Sequence, residues 1–153
     1  MTKFTDSRTR VEGYDAETRI LVVDGDEDFA KFFKIHLNKY FSKVFVTGNP
    51  KEALTWFETN PFDLVISEVN LPRLDGFGLV KKIRKLDKKV PVILMTALNH
   101  TSVQREKMEE CDGFLNKPFT MKEFHNCLKH GLDKKVGKPS SFIDEEALAE
   151  EDA

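Results

Sequence analysis

The chain of 153 residues has room for one domain of ordinary size and not comfortably for two. Its composition, 40% hydrophobic and 33% charged, is globular, and 24 basic against 26 acidic residues leave a net charge of -2, so no overall field favours nucleic acid or an anionic membrane. There is no apolar leader, no run of about 18 apolar residues, and no CxxC or zinc spacing around Cys111 and Cys127, so a soluble cytoplasmic protein with two reduced thiols is expected.

In chain order, residues 1–17 are polar with scattered charge and read as a flexible arm. Arg19-Ile-Leu-Val-Val-Asp24 is a short apolar run rich in β-branched residues, the pattern of a buried parallel strand. Phe29, Phe32, Phe33, His36, Leu37, Tyr40 and Phe41 follow in steps that place one apolar stripe on a helix. Val44–Thr47 predicts a second strand, and Gly48-Asn49-Pro50 a turn into a helix carrying Ala53, Leu54 and Phe57, with proline in its first turn. Phe62–Ser67 predicts a third strand, Asp75-Gly76 opens a helix with Phe77, Val80 and Ile83, and Val90–Met95 predicts a fourth strand. A charged helix over 100–110, a short strand at Gly113–Asn116 and a last helix marked by Met121, Phe124 and Leu128 complete the series. Residues 134–153 pass from a basic stretch to the acidic run Ile143–Asp152 and read as a disordered, solvating tail.

Five buried strands separated by helical crossovers give an α/β fold, a (βα)5 doubly wound parallel five-stranded sheet with right-handed connections and helices on both faces. In such sheets the working site lies at the carboxyl ends of the strands. That edge gathers Asp24 after strand one, Glu68 after strand three, Thr96 after strand four and Lys117 after strand five.

The segments Ile-Leu-Val-Val-Asp24, Ser-Glu68-Val-Asn-Leu-Pro72, Leu-Asp75-Gly76, Leu-Met-Thr96-Ala97 and Asn-Lys117-Pro118-Phe119 stand in order and at fitting spacing. Over residues 18–133 the chain resembles the receiver domains of two-component response regulators. The resemblance implies a flavodoxin-like sheet with strand order 2-1-3-4-5. It also implies a phosphoacceptor at strand three, two acids after strand one that help to hold Mg²⁺, a hydroxyl after strand four and a lysine before a commonly cis proline. On this chain Asp24 matches the first acid, Thr96 the hydroxyl, Lys117 the lysine and Phe114 the switch aromatic. A metal would take Asp24, Glu68 and the main-chain carbonyl of Asn70.

Two positions depart from the pattern: Glu68 stands where the acceptor aspartate belongs, and Gly25 where the second acid belongs. Asp26 could recover some metal affinity, but capping of the helix that follows is the simpler role. Asp63 and Asp75 lie too far along the chain to replace the acceptor. One extra methylene moves the Glu68 carboxylate outward by roughly a bond length, and a misplacement of about 1 Å can cost about 100-fold. Phosphoacceptance and Mg²⁺ affinity are both expected to be weak.

The expectation is an atypical single-domain receiver, a pseudo-receiver acting in signal transduction by protein–protein contact and not as an enzyme. Two alternatives stay open: a permanent phosphomimic through Glu68, and a working acceptor in a phosphorelay from a histidine kinase. The partner would be that kinase or a downstream signalling protein, with no nucleic acid and no membrane; monomer and weak homodimer both stay open. By resemblance the contact face spans residues 100–130, where Gln104, Arg105, Lys107, Glu109, Lys122 and Lys129 also suit a plain solvated surface. The four histidines (His36, His100, His125 and His130) show no paired-ligand spacing, and His36 reads as a packing residue. A nucleotide or flavin loop is missing, and Gly-Asp-Glu-Asp after the first strand would repel phosphate. A DNA-binding output unit would need further chain with a basic recognition helix.

Overall fold

The computed structural model describes residues 14–15, 17–97 and 110–135, with side chains up to 129. Its strands are β1 (Arg19–Val23), β2 (Lys43–Thr47), β3 (Leu64–Glu68), β4 (Val92–Thr96) and β5 (Gly113–Asn116). All pair in parallel, in the order β2-β1-β3-β4-β5, which is the expected doubly wound sheet. The described helices are α1 (Glu27–Leu37), α2 (Pro50–Thr59), α3 (Gly76–Leu86) and α4 (Met121–Lys135). The helix expected over 100–110, most of the N-terminal arm and the acidic tail lie outside the described residues.

The strand sequences look continuously apolar because both faces of the sheet are covered. Alternation along each strand then sorts the core in two. Leu21, Val23, Val65 and Leu94 pack with Ala53 and Phe57 of α2 and Phe77, Val80 and Ile83 of α3. Ile20, Val22, Ile66 and Met95 pack on the other face with Phe33 and Leu37 of α1 and Phe124 and Leu128 of α4. Each of the larger side chains among them, Val, Leu, Ile, Phe or Met, contributes about 1.5–3 kcal/mol when fully buried.

Polar residues start the first three helices. Asp26, Asn49 and Asp75 sit in extended backbone, and their side chains accept the N–H groups of Phe29, of Lys51 and Glu52, and of Gly78. Each satisfies donors that the first helical turn leaves open. Pro50 occupies the first turn of α2, as expected.

The structure corrects the reading of the first helix. It ends at Leu37, where the Asn38 N–H bonds to the carbonyls of Lys34 and His36, so Tyr40 and Phe41 belong to the turn that follows. Phe41 is still buried, but Phe32, counted in the apolar stripe, is 60% exposed. His36 packs against the Phe32 ring at 4.3 Å on that outer side, not against the core. Of the expected arm, Tyr14 sets its ring edge-on against Phe41 at 6.2 Å, and Glu17 pairs with Lys43 at 2.7 Å. No helix among the described residues is long and apolar enough to cross a membrane.

Candidate functional site

The carboxyl edge of the sheet carries the site because each strand there hands over to a loop. Asp24 follows β1, its N–H held by the Thr47 carbonyl at the end of β2. Glu68 is the last residue of β3 and Thr96 the last of β4. Lys117 follows β5, its N–H bonded to the Thr96 carbonyl at 2.8 Å, and the Lys117–Pro118 peptide is cis. Asp24, Glu68 and Thr96 are buried at 3%, 7% and 2% exposure.

Lys117 joins the two acids. Its Nζ donates to Asp24 Oδ2 at 2.6 Å and to Glu68 Oε1 at 2.8 Å. The remaining oxygens are engaged as well: Asp24 Oδ1 accepts the Asp26 N–H at 2.9 Å, and Glu68 Oε2 accepts the Asn70 N–H at 3.0 Å. All four carboxylate oxygens therefore have a donor. Burial works to lower the Lys117 pKa, but the hydrogen bonds and charges of Asp24 and Glu68 outweigh it, and the net shift is upward. The ammonium stays protonated across the physiological range.

A ring closes the other side. Nζ lies 4.0 Å from the centre of Phe29, in the first turn of α1. A cation over an aromatic face gains about 0.5–2 kcal/mol, more as water is removed. Phe29 contributes to the apolar stripe as expected, but its part in the charged site went unseen. Its place three residues after the cap Asp26 was the available signal, since that spacing keeps it at the sheet edge.

The other candidates separate. Asp26 caps α1 through the Phe29 N–H at 3.1 Å. Gly25 is exposed, and a Cβ built on it meets nothing within 4 Å. Asp63 sits at the far end of the sheet, accepting the Arg19 N–H at 2.9 Å, and Asp75 caps α3. Neither is hydrogen-bonded to Lys117, which serves Asp24 and Glu68. Phe114 on β5 is half-buried against the cluster under α2 and α3. Gly76 allows the start of α3 to close on the end of β3: a Cβ there would lie 2.5 Å from the Glu68 carbonyl oxygen and 2.9 Å from Val69 Cα.

Mg²⁺ prefers six hard oxygens at about 2.0–2.1 Å in near-ideal octahedral geometry. Asp24 and Glu68 are of the right chemistry, yet Lys117 already occupies one oxygen of each. Without an acid at position 25 the residues present do not fit a tightly held ion. Among the described residues no group of three or more His, Cys, Asp or Glu side chains could hold a metal.

Residues 20–139 match the response regulator receiver domain family. The chain belongs to that family. The receiver is 38% identical over 122 residues to the two-component response regulator ORR26 of Oryza sativa subsp. japonica, a match covering 77% of this chain and 21% of that protein. It is 33% identical over 105 residues to the probable transcriptional regulator ycf27 of Cyanidium caldarium, covering 68% of this chain and 42% of that one. It thus spans less than half the length of these relatives. Among solved structures, the receiver domain of the Francisella response regulator 1452 is 30% identical with a TM-score of 0.68, covering 77% of this chain and 98% of that one. The response regulator TrrA of Thermotoga maritima, in complex with Mg²⁺-BeF, is 29% identical with a TM-score of 0.66, covering 74% and 98%. The fold of the receiver is the flavodoxin-like one that the sequence implied.

Proposed function

We infer that this receiver acts in two-component signalling by protein contact, with a fixed ion cluster where an ordinary receiver would take a phosphoryl group. The observation that carries the reading is the full engagement of Asp24 and Glu68: every carboxylate oxygen accepts a hydrogen bond, two of them from Lys117. Phosphoryl transfer needs a nucleophile aligned with its donor and cations free to meet the incoming oxygens. Here the cation is spent on the protein's own acids, and Glu68 carries one methylene more than the family's aspartate.

The partner is a histidine kinase or a downstream signalling protein, met as a binding surface and not as a substrate. No step passes through Mg²⁺. The decisive measurement is intact mass after incubation with Mg²⁺ and acetyl phosphate. An unmodified mass is expected, and a stoichiometric phosphoryl adduct would overturn the reading in favour of a working acceptor.

The second reading is a phosphomimic, favoured by the contact of Glu68 with Lys117 at 2.8 Å. One carboxylate, with one charge and two oxygens, replaces about two charges and three acceptors of a phosphoryl group. The imitation is too incomplete to be preferred. Comparing the native chain with Glu68→Gln for partner binding separates the two: loss of binding at unchanged stability would favour the mimic.

A further inference from the structure

The run Lys81-Lys82-Ile83-Arg84-Lys85-Leu86-Asp87-Lys88-Lys89 gives the end of α3 an outward cationic face. Ile83 is buried and Arg84 turns inward to Asp112, but Lys81, Lys82, Lys85, Lys88 and Lys89 are exposed. None of these lysines pairs with an acid among the described residues. Lys81 and Lys85 lie one turn apart on α3, Lys88 lies just past its extended C-cap Asp87, and with Arg84 and Glu110 they line a surface depression of about 570 Å³. Leu86, 50% exposed, follows directly on Lys85. Like charges one turn apart repel by about 0.2–0.5 kcal/mol per pair, so this face gains from an anionic occupant.

The chain carries a segment of matching chemistry. Residues 136–153 hold six acids and one lysine, a net -5, which leaves +3 on residues 1–135. The acids, Asp144, Glu145, Glu146, Glu150, Glu151 and Asp152, surround the apolar Ile143 and Leu148.

Topology puts the two within reach. α3 precedes β4 and α4 follows β5 in a parallel sheet, so both helices end at the edge where the strands begin. Residues 136–143 extend to as much as ~27 Å, against roughly 20 Å for crossing from one helical layer to the other at ~10 Å per packed layer. A tethered segment acts at an effective concentration in the millimolar range, enough to hold a weak electrostatic contact.

We propose that Ile143–Asp152 docks on the surface at the end of α3 formed by Lys81, Lys85 and Leu86 of the helix and Lys88 just beyond it, in the same chain. The tail is then a built-in acidic ligand, and an acidic partner protein gains this face only by displacing it. This contact does not depend on the chemistry of Glu68.

The test is paramagnetic broadening in the full ¹⁵N-labelled chain carrying a nitroxide at Ala149→Cys; the two native cysteines are buried. At about 0.1 M salt the amides of residues 81–88 should lose at least about twofold in intensity and recover near 1 M, as the Debye length falls from ~10 Å to ~3 Å. The same recovery is expected in Lys85→Glu, and more fully in the triple change Lys81→Glu, Lys85→Glu, Lys88→Glu. Broadening that is missing from α3, or that ignores both salt and charge reversal, overturns the proposal. So does broadening that arises in a mixture of spin-labelled unenriched chain with unlabelled ¹⁵N chain, because the tail then belongs to a second copy.

Discussion

Glu68 and Lys117 stand 49 positions apart in the chain and meet at 2.8 Å, with Asp24 on the same ammonium at 2.6 Å. One cation thus serves two acids, and each acid has a main-chain N–H as its second donor. The cluster carries a net negative charge in a place that water hardly reaches.

Removing the cation leaves two like charges buried beside each other. Lys117→Met should lower stability by about 2–4 kcal/mol near neutral pH, since breaking a buried pair costs more than the pair contributes. Urea unfolding of both proteins measures this, and an unchanged midpoint would count against the cluster.

Restoring the family's acids should restore its chemistry. The double variant Gly25→Asp, Glu68→Asp is expected to take a phosphoryl group from acetyl phosphate in the presence of Mg²⁺, read by intact mass. Position 25 has room for a side chain, so no loss of fold is expected. Silence from a folded double variant would mean that more than these two positions has changed.

The Asp75-Gly76 pair works through packing. Gly76→Ala forces a methyl into the backbone of Glu68 and Val69, an overpacking expected to cost about 1–3 kcal/mol. A denaturation midpoint equal to that of the native chain would show that α3 can shift outward freely.

Arg84 ties three connections together at the other edge. Its Nε donates to the Glu110 carbonyl at 3.0 Å, Nη1 to the Val90 carbonyl at 2.6 Å and Nη2 to Asp112 at 2.8 Å. Asp112 also accepts the Val92 N–H at 2.8 Å, fixing the start of β4. Arg84→Met keeps the stem and removes these bonds; a loss of about 2–4 kcal/mol is expected for a part-buried pair of this kind. Thermal unfolding provides the check.

His125 should make the fold acid-sensitive. Burial lowers its pKa, and its Nε2 is buried without a hydrogen-bond partner. Below the ordinary value of about 6.5 the unfolded chain takes up a proton that the folded chain refuses, so stability falls with pH until the folded pKa is reached. His125→Phe retains an aromatic against Tyr40 and should flatten this part of the stability profile between about pH 7 and 5. An unchanged slope would place the acid sensitivity elsewhere.

The strands and the site positions were legible because each reflects a single repeating rule. Apolar runs such as Ile20–Val23 mark strands covered on both sides, and the carboxyl-edge rule then selects Asp24, Glu68, Thr96 and Lys117. The end of α1 was less legible, since the aromatic spacing continues past Leu37 into Tyr40 and Phe41 while the backbone has already turned. Phe32 shows the same weakness: an aromatic at helical spacing need not face inward. Which donor serves which oxygen was out of reach, because Asp26, Asn70 and Lys117 all compete for the same two carboxylates and side-chain geometry decides. The expected contact face rests partly on Gln104, Arg105, Lys107 and Glu109, which lie outside the described residues.

Phe29 has a double attachment: its N–H is held by the Asp26 cap, and its ring lies 4.0 Å from the Lys117 ammonium. The same ring also contacts Phe33 at 5.5 Å and Phe119 at 6.0 Å. The root of α1 and the ammonium thus share one side chain, and a substitution at Phe29 alters the surroundings of both.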